Sequence, residues 1–217
     1  MTETTPITPK ALSELAIFPL PNVVLFPGAV LPLHVFEERY RQLTRDALAG
    51  SKLIAMTRIV EPASSATPEV YPIAGVGEIQ SARELEDGRF LLLLRGVARV
   101  RITDELPTTE GYRRVRAEVL PDTGLEQPEL ARATAQQLLS LCDQIAETIE
   151  DGDELRELVR LGETLGARAD LIAAALVQNA DTRQSLLEMR DPGARLDVLL
   201  EHIAQKMAAL GVERHLN

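Results

Sequence analysis

The sequence predicts an α+β fold, in which a small, partly closed β-barrel with one helix is followed by an α-helical bundle. The 217-residue chain changes character near Gln127. Before this point prolines, glycines and β-branched residues mark short strands, whereas alanine, leucine and charged residues recur at helical spacing after it. Asp87-Gly88 between two strand-like runs is a strong hairpin signal. We expect a β-rich domain over residues 1–125 and a helical bundle over residues 126–217.

The first strands and the first helix follow from apolar runs broken by proline. "IFPL", "VVLF" and "AVLPLHV" are predicted as short extended pieces at edges or bends, because proline lacks an N–H donor and restricts the residue before it. "FEERYRQLTRDALAG" predicts a helix that ends at Gly50, with Glu37 placed to pair with Arg41. Its apolar stripe consists of Phe36, Tyr40, Leu43 and Ala47. "LIAMTRIV" predicts the next strand, and residues 61–72 a loop.

Residues 70–120 have the pattern of a β-meander. In one strand Ala98, Val100 and Ile102 alternate with Arg99 and Arg101. In "YRRVRAEVL" the residues predicted to share one buried face are Val115, Ala117 and Val119. Several short strands with tight turns favour closure into a barrel, because closure removes exposed edges.

Five helices are predicted in the second half, the first beginning at Pro128. The apolar stripe of this helix consists of Leu130, Ala133, Leu138, Leu141, Cys142, Ile145 and Ile149. Asp153 is expected to cap a second helix that Gly166 ends, and "ADLIAAALVQ" to form the central buried helix. Asp181 is expected to cap the next helix. The last helix is predicted from Pro192 to Gly211, with the stripe Leu196, Leu199, Ile203, Met207 and Leu210.

Composition and charge disfavour several classes of protein. A formal net charge of -10 repels polyanions, so nucleic acid is an unlikely partner. Six arginines nevertheless cluster within 22 residues, interleaved with acidic side chains: Arg95, Arg99, Arg101, Arg113, Arg114 and Arg116. A solvated sheet face is the favoured interpretation, and RNA binding by these strands remains the alternative. The polar first ten residues and the proline-broken apolar stretch match no signal or membrane helix, so we expect a cytoplasmic protein without a membrane partner.

The residues that perform catalysis are sparse. The three histidines, His34, His202 and His215, have no evident partner in sequence, and Cys142 lies on an apolar stripe where a buried structural thiol is expected. No Gly-x-x-x-x-Gly-Lys-Ser/Thr segment is present to bind phosphates. The sequence therefore predicts no catalytic residues, no metal and no cofactor. An enzyme would need a pocket that joins His34 to a carboxylate such as Glu37.

The stretch "PLPNVVLFPGAVLPLHVFEERYRQL" carries a family resemblance. Its Pro-Leu, Phe-Pro-Gly, Pro-Leu and Glu-x-Arg-Tyr elements stand at Pro19-Leu20, Phe26-Pro27-Gly28, Pro32-Leu33 and 37–40. Asp87-Gly88-Arg89, Gly96, "RQSLLEM" and Arg195-Leu196 follow in the family's order. The chain resembles the amino-terminal, so-called substrate-binding domain of the Lon family of ATP-dependent proteases, over nearly its whole length. It looks like a stand-alone copy, without the phosphate-binding loop, the AAA+ module or the Ser-Lys peptidase domain.

The resemblance implies a PUA-like twisted β-barrel followed by a helical bundle, and a non-enzymatic module that binds unfolded or partner polypeptide. A separate ATPase or protease would be a further partner. The residues predicted to bind are Phe26, Pro32, Leu33, His34, Phe36, Glu37, Arg39 and Tyr40. The favoured interpretation makes Phe26, Leu33 and Phe36 core residues, and Glu37 and Arg39 helix-start residues. In the other interpretation this region is a groove in which an extended apolar peptide docks.

Overall fold

The structure, a computed structural model, describes residues 7–62 and 67–216, with side chains as far as Ala208. The chain divides into two compact units, Met1–Pro121 and Asp122–Asn217. The division lies close to the predicted boundary after residue 125. That the two units are separate folding domains stays a prediction.

The described part of the first unit contains six strands and two helices. In chain order they are α1 (Pro9–Ser13), β1 (Leu15–Leu20), β2 (Val30–Val35), α2 (Glu38–Ala49), β3 (Leu53–Arg58), β4 (Ile73–Glu84), β5 (Phe90–Leu106) and β6 (Arg114–Val119). The short helix α1 lies in a region for which the sequence predicted no element. It begins after Thr8, whose hydroxyl accepts a hydrogen bond from the Ala11 N–H at 3.2 Å.

The strands form one mixed sheet in the order β2-β5-β4-β3-β1-β6, and β5 also pairs with β6. This extra pairing closes five of the strands into a ring, while β2 extends from the other half of β5. β1 and β3 are parallel because β2 and α2 intervene between them as a crossover, and the remaining pairs are antiparallel. The predicted α+β fold is confirmed, as an irregular pseudobarrel rather than a regular barrel.

The segment "VVLF", predicted as a strand, is a buried loop instead. Val24, Leu25 and Phe26 are all at most 3% exposed but join no ladder. The loop lies on the sheet where glycines replace side chains: a Cβ at Gly75 would stand 1.8 Å from the Leu25 carbonyl oxygen, and one at Gly96 2.0 Å from that of Phe26. The glycines therefore make room for backbone, which occupies the space of a strand's side chains.

Two further predictions about the sheet are wrong. Arg99 was placed on a solvated face but is 4% exposed, because it pairs with Gly75 on the face that the loop covers. Val119 was placed on a buried face but is 44% exposed. It ends β6, and β1 covers only the beginning of that strand, at Arg114 and Val115.

Helix α2 packs through the predicted stripe with one exception. Tyr40, Leu43 and Ala47 are buried, and the Tyr40 ring stacks on Phe18 with centroids 4.0 Å apart. Phe36 precedes the helix and is 62% exposed, against the favoured interpretation that it is buried. The predicted pairing of Glu37 with Arg41 is also wrong, because Arg41 pairs with Glu38 at 2.7 Å.

All the described secondary-structure elements of the second unit are helices. It comprises α3 (Pro128–Ala146), α4 (Gly152–Arg160), α5 (Leu165–Leu176), α6 (Ala180–Glu188) and α7 (Pro192–Leu216). The buried face of α3 consists of Ala131, Thr134, Ala135, Leu138, Cys142 and Ala146. The predicted stripe is confirmed at Leu138 and Cys142 but is wrong at Leu130, which is 54% exposed. Ile149, 45% exposed, lies beyond the end of the helix.

Several predicted helix boundaries also shift. The residue before α4 is Asp151 rather than Asp153, and Gly166 lies inside α5. Asn179, not Asp181, caps α6 by accepting the Thr182 N–H at 2.9 Å. Helix α7 continues past Gly211 to Leu216.

Two residues named from the sequence have side chains beyond the described part of α7. They are Leu210, predicted on the stripe of the last helix, and His215, one of the three histidines.

Candidate functional site

The outer side of β2 carries an exposed apolar surface, here called the β2 face. Its residues are Val30, Pro32, His34, Phe36, Leu91 and Leu93. Val30 is 53%, Phe36 62% and Leu93 37% exposed, fractions that are high for large apolar side chains. The β2 face is therefore open to a ligand.

The ladder between β2 and β5 brings these residues together. Pro32 lies directly opposite Leu93, and His34 directly opposite Leu91, on the same face of the sheet. Phe36 follows the strand and packs edge-on against the His34 ring, with centroids 6.0 Å apart. The opposite face of the same strands is inward: Val35, Leu92 and Leu94 are at most 4% exposed.

The eight residues predicted to bind fall into three groups. Pro32, His34 and Phe36 lie on the β2 face. Leu33, half-buried, points to the other side of β2, opposite Leu92.

The remaining four are buried or paired. Phe26 and Tyr40 are core residues, at 0% and 6% exposure. Glu37 and Arg39 pair with each other just before and within α2, at 2.8 Å. That any of the eight residues binds a ligand stays a prediction.

Sequence reasoning missed Val30, Leu91 and Leu93. The leucine run 91–94 gave no alternation of apolar and polar residues, so it could not show which leucines face outward. Only the register against β2 assigns Leu91 and Leu93 to the exposed side. The proline at position 32 was the one usable signal, because proline in a sheet indicates an edge strand.

A cleft of about 370 Å³ with a mixed polar and apolar lining lies elsewhere in the first unit, beside α1 and the start of β6. The Tyr112 hydroxyl donates to Asp46 at 2.8 Å and accepts a hydrogen bond from the Arg114 guanidinium at 2.7 Å. Burial, and then the hydrogen bond to Asp46, raise the pKa of Tyr112 to about 12. A hydroxyl with so high a pKa is a poor proton donor near neutral pH.

Cys142 is buried on α3, as the sequence predicted, and is 2% exposed. Burial, with a smaller effect of the Asp143 carboxylate, raises the pKa of the thiol to about 11. The thiolate that a nucleophile or metal ligand needs is therefore disfavoured. Within residues 7–62 and 67–208 no group of three or more His, Cys, Asp or Glu side chains is arranged to hold a metal ion.

The helical unit has an apolar groove of about 450 Å³ between α3, α5 and α7. Its apolar lining consists of Ile145, Ile149, Ala175, Leu176, Ile203 and Met207. Among the described helices, none has the length together with the hydropathy needed to cross a membrane.

The arginine-rich strands carry their own counter-charges. Arg113 forms a two-pronged pair with Glu105, both contacts at 2.7 Å, and this pairing lowers the pKa of the Glu105 carboxyl. Arg116 pairs with Asp104 at 3.1 Å, and Arg114 with Glu110 at 3.4 Å. Nearby carboxylates on β5 and on the β5–β6 loop therefore compensate these three cations.

Comparison with known proteins gives consistent matches. The family model of the ATP-dependent protease La (LON) substrate-binding domain matches residues 14–205. The Lon protease of Syntrophomonas wolfei is 30% identical over 208 residues, which are 94% of this chain and 25% of that protein. The Lon protease of Dictyoglomus thermophilum is 30% identical over 91% of this chain and 25% of its own length. The chain thus spans about a quarter of these relatives.

Two solved structures share the fold. The N-terminal domain of Mycobacterium avium complex Lon protease superimposes with a TM-score of 0.69 at 19% identity, covering 88% of this chain and 98% of that one. A Lon N-terminal domain protein from Xanthomonas campestris gives a TM-score of 0.59 at 26% identity, over 87% and 98% of the two chains. Because the family model matches residues 14–205, this chain belongs to the family of ATP-dependent protease La (LON) substrate-binding domains.

Proposed function

We propose that this chain is a non-enzymatic module that binds apolar segments of unfolded or partner polypeptides on the β2 face. The observation that carries the proposal is the exposure of Val30, Phe36 and Leu93 around Pro32 on one sheet face. Exposed apolar side chains grouped in this way are typical of interaction sites rather than of a solvated sheet. The substrate-binding name of the family supports the same class of ligand.

The absence of an enzymatic role is part of the proposal. His34 contacts Phe36 rather than a carboxylate, and Glu37 is paired with Arg39. The pKa values of Tyr112 and Cys142, raised to about 12 and about 11, are shifted away from the range in which these groups act at neutral pH. Each feature favours binding over catalysis.

RNA binding receives less support. Three of the clustered arginines, Arg113, Arg114 and Arg116, already pair with carboxylates on β5 or on the loop between β5 and β6. Release of these arginines to bind phosphate would leave the carboxylates unpaired, in a chain of net charge -10. We therefore propose no second function.

Fluorescence anisotropy tests the proposal. A fluorescein-labelled, reduced and carboxymethylated protein that cannot refold is titrated with the chain, and its native, disulfide-bonded form serves as the control ligand. We expect saturable binding of the unfolded form alone. No binding up to roughly 100 μM, where the binding free energy is only about -5.5 kcal/mol, would contradict the proposal.

Matched variants locate the surface. Phe36→Ser with Leu93→Ser is expected to weaken binding at least tenfold, because both changes remove exposed apolar area from the β2 face. Leu161→Ser is the control, since Leu161 is 70% exposed but lies in the second unit, at the end of α4. Equal losses in the double variant and in the control would show that the β2 face is not the site.

A further inference from the structure

Strand β2 forms one edge of the six-stranded sheet. Among the strands that the structure describes, it pairs with β5 alone. An edge strand presents main-chain N–H and C=O groups that a second chain can pair with. Which of its groups point outward follows from the register.

Pro32 determines which pairs in the ladder between β2 and β5 are hydrogen-bonded. It has no N–H, so the pair Pro32–Leu93 is of the type without inter-strand hydrogen bonds, whose main-chain groups point away from the partner strand. Pair types alternate along an antiparallel ladder, so Val30 and His34, each two residues from Pro32, also belong to pairs without inter-strand hydrogen bonds. The neighbouring contact agrees, because the Ala29 carbonyl, one residue earlier, accepts the Gly96 N–H at 2.8 Å.

The outer edge of β2 therefore offers a defined pattern. Val30 and His34 each present an N–H and a C=O, and Pro32 between them presents a C=O alone. The side chains of the same three residues stand on the β2 face. One bound strand would thus meet the hydrogen-bonding edge and the apolar surface together.

We propose that the edge of β2 binds an extended polypeptide segment as an added antiparallel strand, with apolar side chains opposite His34 and Pro32 and a carboxylate opposite Val30. This mode of binding rests on the function proposed above. Apolar residues at alternate positions would continue the surface formed by Leu91 and Leu93. An added strand is held through its main-chain groups, so many polypeptide sequences can bind if their apolar residues alternate in this way.

The carboxylate follows from the charge at one end of the β2 face. Arg95 lies directly opposite Val30 in the ladder and is half-buried. Its side chain is long enough to reach across one strand toward the edge. Glu78 faces Arg95 from β4, where one of its carboxylate oxygens accepts a hydrogen bond from Gln80 at 3.2 Å. An acidic residue on the added strand would offer Arg95 a partner on the side away from Glu78.

A short peptide, fluorescein-Thr-Val-Thr-Val-Thr-Glu-Thr, tests the mode of binding. In antiparallel register its valines face His34 and Pro32 and its glutamate faces Val30. N-methylation of the first valine and the glutamate blocks amides that point to β2. N-methylation of the third and fifth residues, both threonine, blocks amides that point away from β2. The two methylated peptides have the same composition. If the peptide shifts by two residues along β2, the same amides still point toward β2 and the same amides still point away from it.

We expect the first methylated peptide to bind at least tenfold more weakly than the unmethylated one, and the second to bind equally well. Replacement of the glutamate by lysine should weaken binding several-fold. If both methylated peptides lose the same affinity, or the lysine peptide binds equally well, the proposed strand is overturned. If the unfolded protein binds while the unmethylated peptide does not, strand addition fails and the proposed function stands; if neither binds, both fail.

Two variants at His34 separate the contribution of its main-chain N–H to binding from that of its side chain. His34→Ala keeps the outward N–H, whereas His34→Pro removes it and leaves the bonds to β5 intact. We expect the alanine variant to lose only the share of affinity that the imidazole contributes, and the proline variant to bind at least tenfold more weakly than the alanine variant, with unchanged circular dichroism in both. Similar losses would contradict strand addition. Sedimentation tests the competing occupant: a dimer of the unchanged chain that His34→Pro abolishes, together with no binding of the peptide, would assign the edge to a second copy and overturn the proposal.

Discussion

Arg195 donates two hydrogen bonds to the carboxylate of Asp122, at 2.7 and 2.9 Å, although the residues are 73 positions apart in sequence. Arg195 is 1% exposed and also donates to the Met189 carbonyl at 2.8 Å. On its other side the buried Asp170 carboxylate lies 3.5 Å from the guanidinium. The segment that opens the second unit is thus held to α7 by a buried cation shared between two acids.

We predict that Arg195→Met lowers the free energy of unfolding by about 3–5 kcal/mol, because it leaves the Asp170 carboxylate buried beside an apolar side chain. Arg132→Met in the same unit is the control. Arg132 pairs with Glu129, but the two side chains are 60% and 86% exposed, so its loss should cost less than about 1 kcal/mol. Urea unfolding followed by circular dichroism measures both. Equal costs would show that the buried cation contributes no more than an exposed one.

The glycines beneath the buried loop give a second prediction. We expect Gly75→Ala and Gly96→Ala each to destabilise the first unit by about 1–3 kcal/mol or more, because the new methyl group would overlap a loop carbonyl. Gly124→Ala is the matched control, since a Cβ there meets nothing within 4 Å. Thermal unfolding compares the three variants. A wild-type melting temperature in Gly75→Ala would mean that the loop does not lie on the sheet.

The titration of Tyr112 gives a third prediction. An unfolded tyrosine loses its proton near pH 10, whereas burial raises the pKa of Tyr112 to about 12. Between these values the folded state binds more protons, so stability falls as the pH rises through this window. Tyr112→Phe should remove the part of this fall that Tyr112 contributes, and the latest phase of phenolate absorbance at 295 nm. Persistence of that phase in the variant would assign it to another tyrosine.

The independence of the two units can be tested with natural probes. All three tyrosines, Tyr40, Tyr71 and Tyr112, lie in the first unit, the chain has no tryptophan, and the single cysteine, Cys142, is buried in the second. Tyrosine fluorescence therefore reports on one unit and thiol labelling on the other. We predict different urea midpoints for the two signals, as separate domains require.

The control is a chain carrying Arg195→Met. This change should lower the urea midpoint of thiol labelling and leave that of tyrosine fluorescence in place. Coincident midpoints that move together in this variant would show one cooperative unit, against the predicted division of the chain.

The sequence by itself determined the class of fold and most of its elements. Proline, glycine and alternation are local signals, so the strands, the hairpin at Asp87-Gly88 and the start of α7 at Pro192 could be predicted from neighbouring residues alone. The buried thiol of Cys142 followed from the same kind of pattern, and the family could be identified from the spacing of motifs around Pro32.

Only the tertiary structure decided which apolar residues are covered. Phe26 and Phe36 stand in similar sequence surroundings, yet one is 0% and the other 62% exposed. The difference arises because the Phe26 loop lies on the glycines of the sheet, whereas Phe36 follows an edge strand. Burial depends on which distant segment packs against a residue, and strand register between Pro32 and Leu93 brings together residues that no local pattern relates.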